Sequence, residues 1–176
     1  MNTITYVTGN KHKVEEAKQI IPGIVSESVD ITEIQGESDE VALDKAAKAY
    51  RALKKPILVD DVSFCIARLG GLPGPYVKYF CEQNPLERIG ELFAGSEARA
   101  ACRIVYKDKD TTILVRGIVK GSVVHPRGES WGFDPVFQPA EHDKTWAELG
   151  AKKNKISHRY LALQKMRKQL EKKEIL

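Results

Sequence analysis

Two adjacent carboxylates at the end of an apolar run, Asp60 and Asp61 in "ILVDD", are the first residues here that could do chemistry. A short continuous apolar run fits a strand buried on both faces, and in parallel α/β sheets ligands gather outside the carboxyl ends of strands. Neighbouring carboxylates are costly there unless a cation or substrate uses them; a solvated strand end with ordinary surface charge is the plainer alternative. Successive strand residues point to opposite faces, so one of the pair enters a site. A hard, oxygen-liganded ion such as Mg²⁺ needs one or two carboxylates plus phosphate oxygens, and Glu33 or Glu37 in "TEIQGES" can supply another.

An anion loop is the natural companion of such an ion. "TGNKHK", running Thr8, Gly9, Asn10, Lys11, His12, Lys13, lies between a strand-like and a helix-like segment. Backbone N–H groups and the positive end of a helix dipole favour a phosphate at that junction, and Lys11 and Lys13 add charge. It is not a P-loop, because the second glycine is missing, and Asn10 could equally serve as a plain helix cap. In "WGFDP", Trp131 and Phe133 flank Gly132, so one ring could stack on a nucleobase while Asp134 accepts a hydrogen bond from its edge; aromatic residues are otherwise core. "KKNKISHRY" gathers Lys152, Lys153, His158 and Arg159 near the start of the last helix, where cations oppose the dipole, with Ser157 available as cap or donor. His125 and His142 have no metal-ligand spacing with another His or Cys, and no Ser-His-Asp arrangement is supported.

The elements that must position these residues alternate between strand-like and helix-like, which predicts an α/β domain with a mixed sheet. Strands are expected at Ile4–Val7, Ile24–Val29, Ile57–Asp61, Ala98–Tyr106 and Thr111–Val119, the last two forming a hairpin across "KDKD". Helices are expected at Lys11–Ile20, from a Ser38 cap to Pro56, across "PLERIGELFAG" to Gly95, and over Lys155–Lys172. "LGGLPGPY" and "HPRGESWGFDP" read as loops. The 176 residues, 42% of them hydrophobic, suit a single domain spanning 1–176. No apolar run is long enough for a membrane span, and the chain is read as cytoplasmic. Cys65, Cys81 and Cys102 are an odd, scattered set that suits buried thiols rather than disulfides or zinc. The net charge of +4 is a property of the tail: from Lys152 onward nine Lys/Arg stand against two Asp/Glu, leaving 19 against 22 before it. A basic tail suits an anionic partner, nucleic acid or a phosphorylated small molecule, or a solvated helix face.

Taken in order, "TGNKHK", "EIQGE", "ILVDD", "LGGLPGPYVK", "WGFDPVF" and "KNKISHR" resemble the Ham1-like inosine triphosphate pyrophosphatase family over nearly the whole chain. The resemblance implies an elongated mixed sheet flanked by helices, two lobes around a central nucleotide-binding cleft, and a homodimer. It also implies hydrolysis of ITP, dITP and XTP to monophosphate and pyrophosphate with Mg²⁺. By the same resemblance Thr8, Gly9, Asn10 and Lys13 match the triphosphate loop, and Glu33 and Asp61 the magnesium carboxylates, Asp61 also as acceptor of the water's proton. Lys45 and Lys78 match lysines near the phosphates. Trp131, Gly132, Phe133 and Asp134 match the nucleoside stretch, with Trp131 as the stacking ring. Lys153, His158 and Arg159 match the base-reading cations, with Ser157 beside them. Val62 stands where family members carry Ser or Thr, and Trp131-Gly132-Phe133 is closer to the eukaryotic pattern with its aromatics exchanged. Two rivals remain: a Mg²⁺-dependent nucleotide phosphohydrolase with another base preference, and a non-enzymatic nucleic-acid-binding module, which gives no reason for the carboxylates.

Overall fold

The structure, a computed structural model, describes residues 3–176. Its strands are β1 (Ile4–Val7), β2 (Ile24–Glu27), β3 (Ile57–Ile66), β4 (Pro73–Gly74), β5 (Glu97–Lys107), β6 (Thr112–Val123) and β7 (Phe137–Pro139). They form one seven-stranded sheet in the order β2-β1-β3-β5-β6-β7, with β4 paired to β3. The sheet is mixed: β1 runs parallel to β2 and β3, whereas β3–β4 and β6–β7 are antiparallel. Helices α1 (Lys11–Lys18), α2 (Ser38–Leu53), α3 (Val77–Gln83), α4 (Leu86–Phe93), α5 (Trp146–Leu149) and α6 (His158–Lys172) complete the fold. None is long and apolar enough to cross a membrane. The α/β class and mixed sheet are as the sequence predicts.

By its internal contacts the chain divides into two compact units, Met1–Asp61 with Cys102–Gly117 and Arg159–Leu176, and Val62–Ala101 with Ile118–His158. In the first unit Ile57, Val59 and Val105 pack with Val7 against Ala42, Ala46 and Ala49 of α2. The small residues recur at three- and four-residue spacing and form the helix stripe; Ile57 and Val59 alternate along β3 and form the matching sheet face. In the second unit Phe64 and Ile66 join Val123, Phe133, Val136, Phe137 and Trp146 in a separate aromatic-rich core. Gly121 on β6 has to be glycine, since a Cβ there would lie 2.2 Å from the Gln138 carbonyl oxygen of β7.

Several boundaries differ from the sequence reading, each for a local reason. Ser38 is the first residue of α2 and not its cap; Glu37 caps it, with its own N–H donating to the Glu40 carboxylate at 3.2 Å. The last helix begins at His158, because Gly150–Lys155 winds as a separate 3-10 segment. β2 stops at Glu27, β3 runs on to Ile66, and β6 continues through Val123, where Gly121 allows β7 to approach. The stretch expected as a loop after Leu69 contains β4, which pairs Phe64 with Gly74 and Cys65 with Pro73. α3, α5 and β7 escape a periodicity reading because they are short, at seven, four and three residues. Only Cys102 of the three thiols is fully buried; Cys65 and Cys81 are half-buried.

Candidate active site

The predicted anion loop follows β1 directly. Asn10 is the N-cap of α1, accepting from the His12 N–H at 2.9 Å and the Lys13 N–H at 3.4 Å. The Asn10 N–H in turn donates to the Thr8 hydroxyl at 3.2 Å, so Thr8, Gly9 and Asn10 form a self-braced turn. Lys11 and His12 are exposed at its rim. Lys13 turns inward, its ammonium 3.0 Å from each carboxylate oxygen of Asp60.

The two adjacent aspartates of β3 have opposite environments. Asp60, 2% exposed, also accepts from Arg159 Nε at 3.3 Å, and Arg159 Nη1 donates to Glu16 at 3.0 Å. Burial alone would raise the Asp60 carboxyl, but Lys13, then Arg159 and Lys45, overcome that and hold it well below the usual carboxylate range. Asp61, 6% exposed, lies on the other face, and its Oδ2 has no hydrogen-bond partner. Burial pushes its carboxyl up to about 7; Lys45 opposes the rise, while Glu33 and Asp60 add to it. Asp60 is therefore a neutralised strut, and Asp61 an under-satisfied carboxylate facing Lys45 and Glu33. Lys45 donates to Glu33 at 2.7 Å.

Asp61 and Glu33 offer hard oxygens, and the orphaned Oδ2 of Asp61 is an atom that a divalent cation would satisfy. Among the described residues no group of three or more His, Cys, Asp or Glu forms a metal cage.

The predicted base-reading residues are divided. In the second unit Asp134 and Lys153, both buried, form an ion pair, to which the Ser130 hydroxyl donates at 3.1 Å. The Lys153 ammonium lies 5.3 Å from the ring of Trp131 and 5.1 Å from that of Trp146. Trp131 is half exposed, on the turn made possible by the positive φ of Gly132. Phe133 stacks on Phe64 at 4.3 Å and belongs to the core, so of the two rings only Trp131 is open to solvent. His158 is buried 4.8 Å from the Trp146 ring, and Ser157 is buried beside it, its N–H donating to the Lys153 carbonyl. Arg159 is grouped instead with Asp60 and Glu16 in the first unit, and Lys78 is exposed on α3 beside the Tyr79 ring.

The sequence reading missed two networks. Arg127 donates to Glu148, Gln138 and the Asp143 carbonyl, bracing the chain just before Trp131 against α5. Asp39 gathers Arg103 and Arg116 on the α2 side of the first unit. Partners this far apart along the chain leave no local signature.

Replacing Trp131 with Ala should weaken binding of a purine nucleotide by about 5- to 150-fold, the range of a lost aromatic–base stack of about 1–3 kcal/mol, while leaving the melting temperature nearly unchanged because the ring is half exposed. Fluorescence titration and thermal denaturation of the same variant measure both; unaltered affinity would remove Trp131 from the site.

Known proteins share this arrangement of elements. The Staphylococcus aureus Ham1 protein superimposes with a TM-score of 0.78 at 24% identity, covering 97% of this chain and 99% of its own. A HAM1 protein from Coxiella burnetii gives 0.86 at 25% identity, covering 98% and 100%. A Mycobacterium abscessus protein described as a nucleoside-triphosphatase / dITP/XTP pyrophosphatase gives 0.72 at 22% identity, covering 93% and 98%. Residues 4–169 match the Ham1 family as a sequence family, and to that family this chain belongs.

Proposed function

We propose that the protein hydrolyses deaminated purine nucleoside triphosphates, ITP, dITP and XTP, to the monophosphate and pyrophosphate, clearing them from the cytoplasmic nucleotide pool. Membership of the Ham1 family supports the coarser class, a nucleoside triphosphate pyrophosphatase and hence a hydrolase, as does the likeness to the M. abscessus protein described by that activity. The observation that carries the reading is Asp61, a buried carboxylate with an unbonded oxygen, beside Lys45 and Glu33 and next along the strand from Asp60.

In this reading one set of residues takes the triphosphate and another reads the base. Thr8, Gly9, Asn10, Lys11 and His12 present the loop and the α1 N-terminus to phosphate oxygens. Lys13 and Lys45, each paired with a carboxylate in this structure, exchange part of that pairing for phosphate, with Lys78 as a further cation. Magnesium would be held by Asp61 and Glu33, and when bound it supplies positive charge against the phosphate oxygens. Asp61 orients or deprotonates the attacking water, and Lys13 offsets charge on the departing pyrophosphate.

Base choice follows from donors and acceptors. Hypoxanthine and xanthine present an oxygen at position six, where adenine presents an amine donor. Lys153 offers only donors, as does His158 when protonated, so adenine would set donor against donor in a buried place. Asp134 accepts from the base edge and Trp131 stacks on its face, with Ser157 beside His158. A homodimer is part of the proposal, and light scattering tests it.

The decisive experiment is turnover of ITP, XTP, dITP, GTP and ATP with Mg²⁺, resolving phosphate from pyrophosphate. Pyrophosphate from ITP, dITP and XTP at rates at least about tenfold above ATP is expected. Orthophosphate with IDP, or comparable ATP hydrolysis, overturns the proposal, the second outcome favouring a phosphohydrolase of different base preference.

A further inference from the structure

Trp131 stands half exposed on a loop, residues 128–134, whose two ends are tied to one short stretch of chain. At the far end Asp134 pairs with Lys153, which the 3-10 segment directly after α5 carries, and accepts from the Ser130 hydroxyl at 3.1 Å. At the near end Arg127 is held by its main chain and its side chain alike. Its N–H donates to the Pro135 carbonyl at 3.0 Å, across the mouth of the loop, and its own carbonyl accepts from the hydroxyl of Thr145, the cap of α5, at 2.8 Å. All of these residues belong to the second unit.

The Arg127 side chain makes that near end rigid. Its Nε donates to Glu148 at 3.1 Å, and its Nη2 donates to the Gln138 side chain at 2.7 Å and to the Asp143 carbonyl at 3.0 Å. The Glu148 oxygen that receives Nε also accepts the Thr145 N–H at 2.8 Å, so the arginine and the capping box of α5 share one carboxylate. A planar guanidinium with three acceptors in place is fixed in orientation as well as position. Gly128 follows directly, at φ +75°, so near α5 that a Cβ would sit 2.9 Å from the Glu148 nitrogen. A ring 50% exposed has little packing to fix it, so the path of the loop decides where Trp131 stands.

We propose that Arg127 is a positioning residue for the base end of the site: with Glu148 it clamps the start of the loop to α5 and so sets where the Trp131 ring meets a purine. Arg127 acts through Trp131 and not on the substrate itself. Asp134, with its own ties to Lys153 and Ser130, keeps its place without the clamp. The inference rests on the functional reading above only in giving Trp131 a purine to meet.

Two measurements on the whole protein test it. Acrylamide quenching of indole fluorescence, without nucleotide, reads the ring itself: Arg127→Ala should raise quenching in the parent and change nothing in the Trp131→Ala background, where the buried Trp146 is the one indole left. Steady-state turnover with Mg²⁺ reads the consequence: Arg127→Ala should raise KM for ITP at least about threefold, and by no more than Trp131→Ala does, with kcat little changed. In the Trp131→Ala background the further cost of Arg127→Ala in KM should fall below about twofold, a coupling that general loss of stability would not produce. Arg127→Lys, which keeps the charge but loses the fork, should lie between Arg127→Ala and the parent in both measurements. If Arg127→Ala fails to fold, Arg127→Lys decides. Parent-like quenching or a parent-like KM in whichever of the two is folded overturns the proposal, as does a KM cost that is the same with and without Trp131. Quenching that depends on Arg127 in a protein inert toward every nucleotide would sink the functional reading and leave the clamp on Trp131 standing.

Discussion

Asp61→Asn should abolish nucleotide turnover and, in metal-free solution at pH 8, make the protein more stable than its parent by about 2–4 kcal/mol. The two effects share a cause. In the folded chain burial pushes the Asp61 carboxyl from 3.8 up to about 7, and the unfolded chain restores the lower value. Between those values the folded state holds a proton that the unfolded state releases, so stability falls as pH rises through that window, and the penalty is complete above it. Asparagine has no proton to lose and no charge to bury. Its advantage should therefore be absent near pH 4, grow through pH 5–7 and level off above. Urea titrations of both proteins at pH 4, 6 and 8 in chelator measure it. Magnesium should narrow the gap by stabilising the parent alone, a readout independent of activity. An asparagine variant less stable than the parent at pH 8 would show that Asp61 is already satisfied, and would remove the physical reason for placing a cation there.

This opposition between neighbours was only half legible in the sequence. The apolar run ending in Asp60-Asp61 gives the buried strand, and period-2 alternation says that the pair must part to opposite faces. Which aspartate is the strut depends on Arg159, 99 residues away, and on Lys13 and Glu16 of α1, and no local pattern announces such a meeting. The long elements were readable because each carries enough turns or alternations to show a period: α2 by its alanine stripe, β5 and β6 by their runs on either side of a charged turn. α3, α5 and β7 were not, since a few residues hold no period and exist by packing on the second core. Phe133 shows the limit for sites. In sequence it is as good a stacking ring as Trp131, and only Phe64, arriving from β3, consigns it to the core.

Asp60→Asn, one residue along the strand, should have the opposite sign. It removes the charge that neutralises Arg159, a guanidinium 1% exposed whose other charged partner is Glu16, and that also holds Lys13. Breaking a buried pair from one side leaves an uncompensated charge, at a typical cost of about 3–5 kcal/mol, a large share of the margin of an ordinary domain. Lys13, closer to solvent, can recover water; Arg159 cannot, which makes it the larger part of the loss. Removing both partners should therefore hurt less: Asp60→Asn combined with Arg159→Met is expected to cost at least about 2 kcal/mol less than the sum of the single changes, the mark of a coupled pair. The pH dependence follows from the depressed carboxyl. Asp60 contributes its stability above the ordinary carboxylate range and loses it only as pH falls toward its lower folded value, so parent and variant should converge in strong acid and differ fully at pH 6–8. Equilibrium unfolding in urea across that range is the measurement. An Asp60→Asn protein as stable as the parent at neutral pH would mean that Glu16 alone suffices for Arg159, and that Asp60 is not the strut.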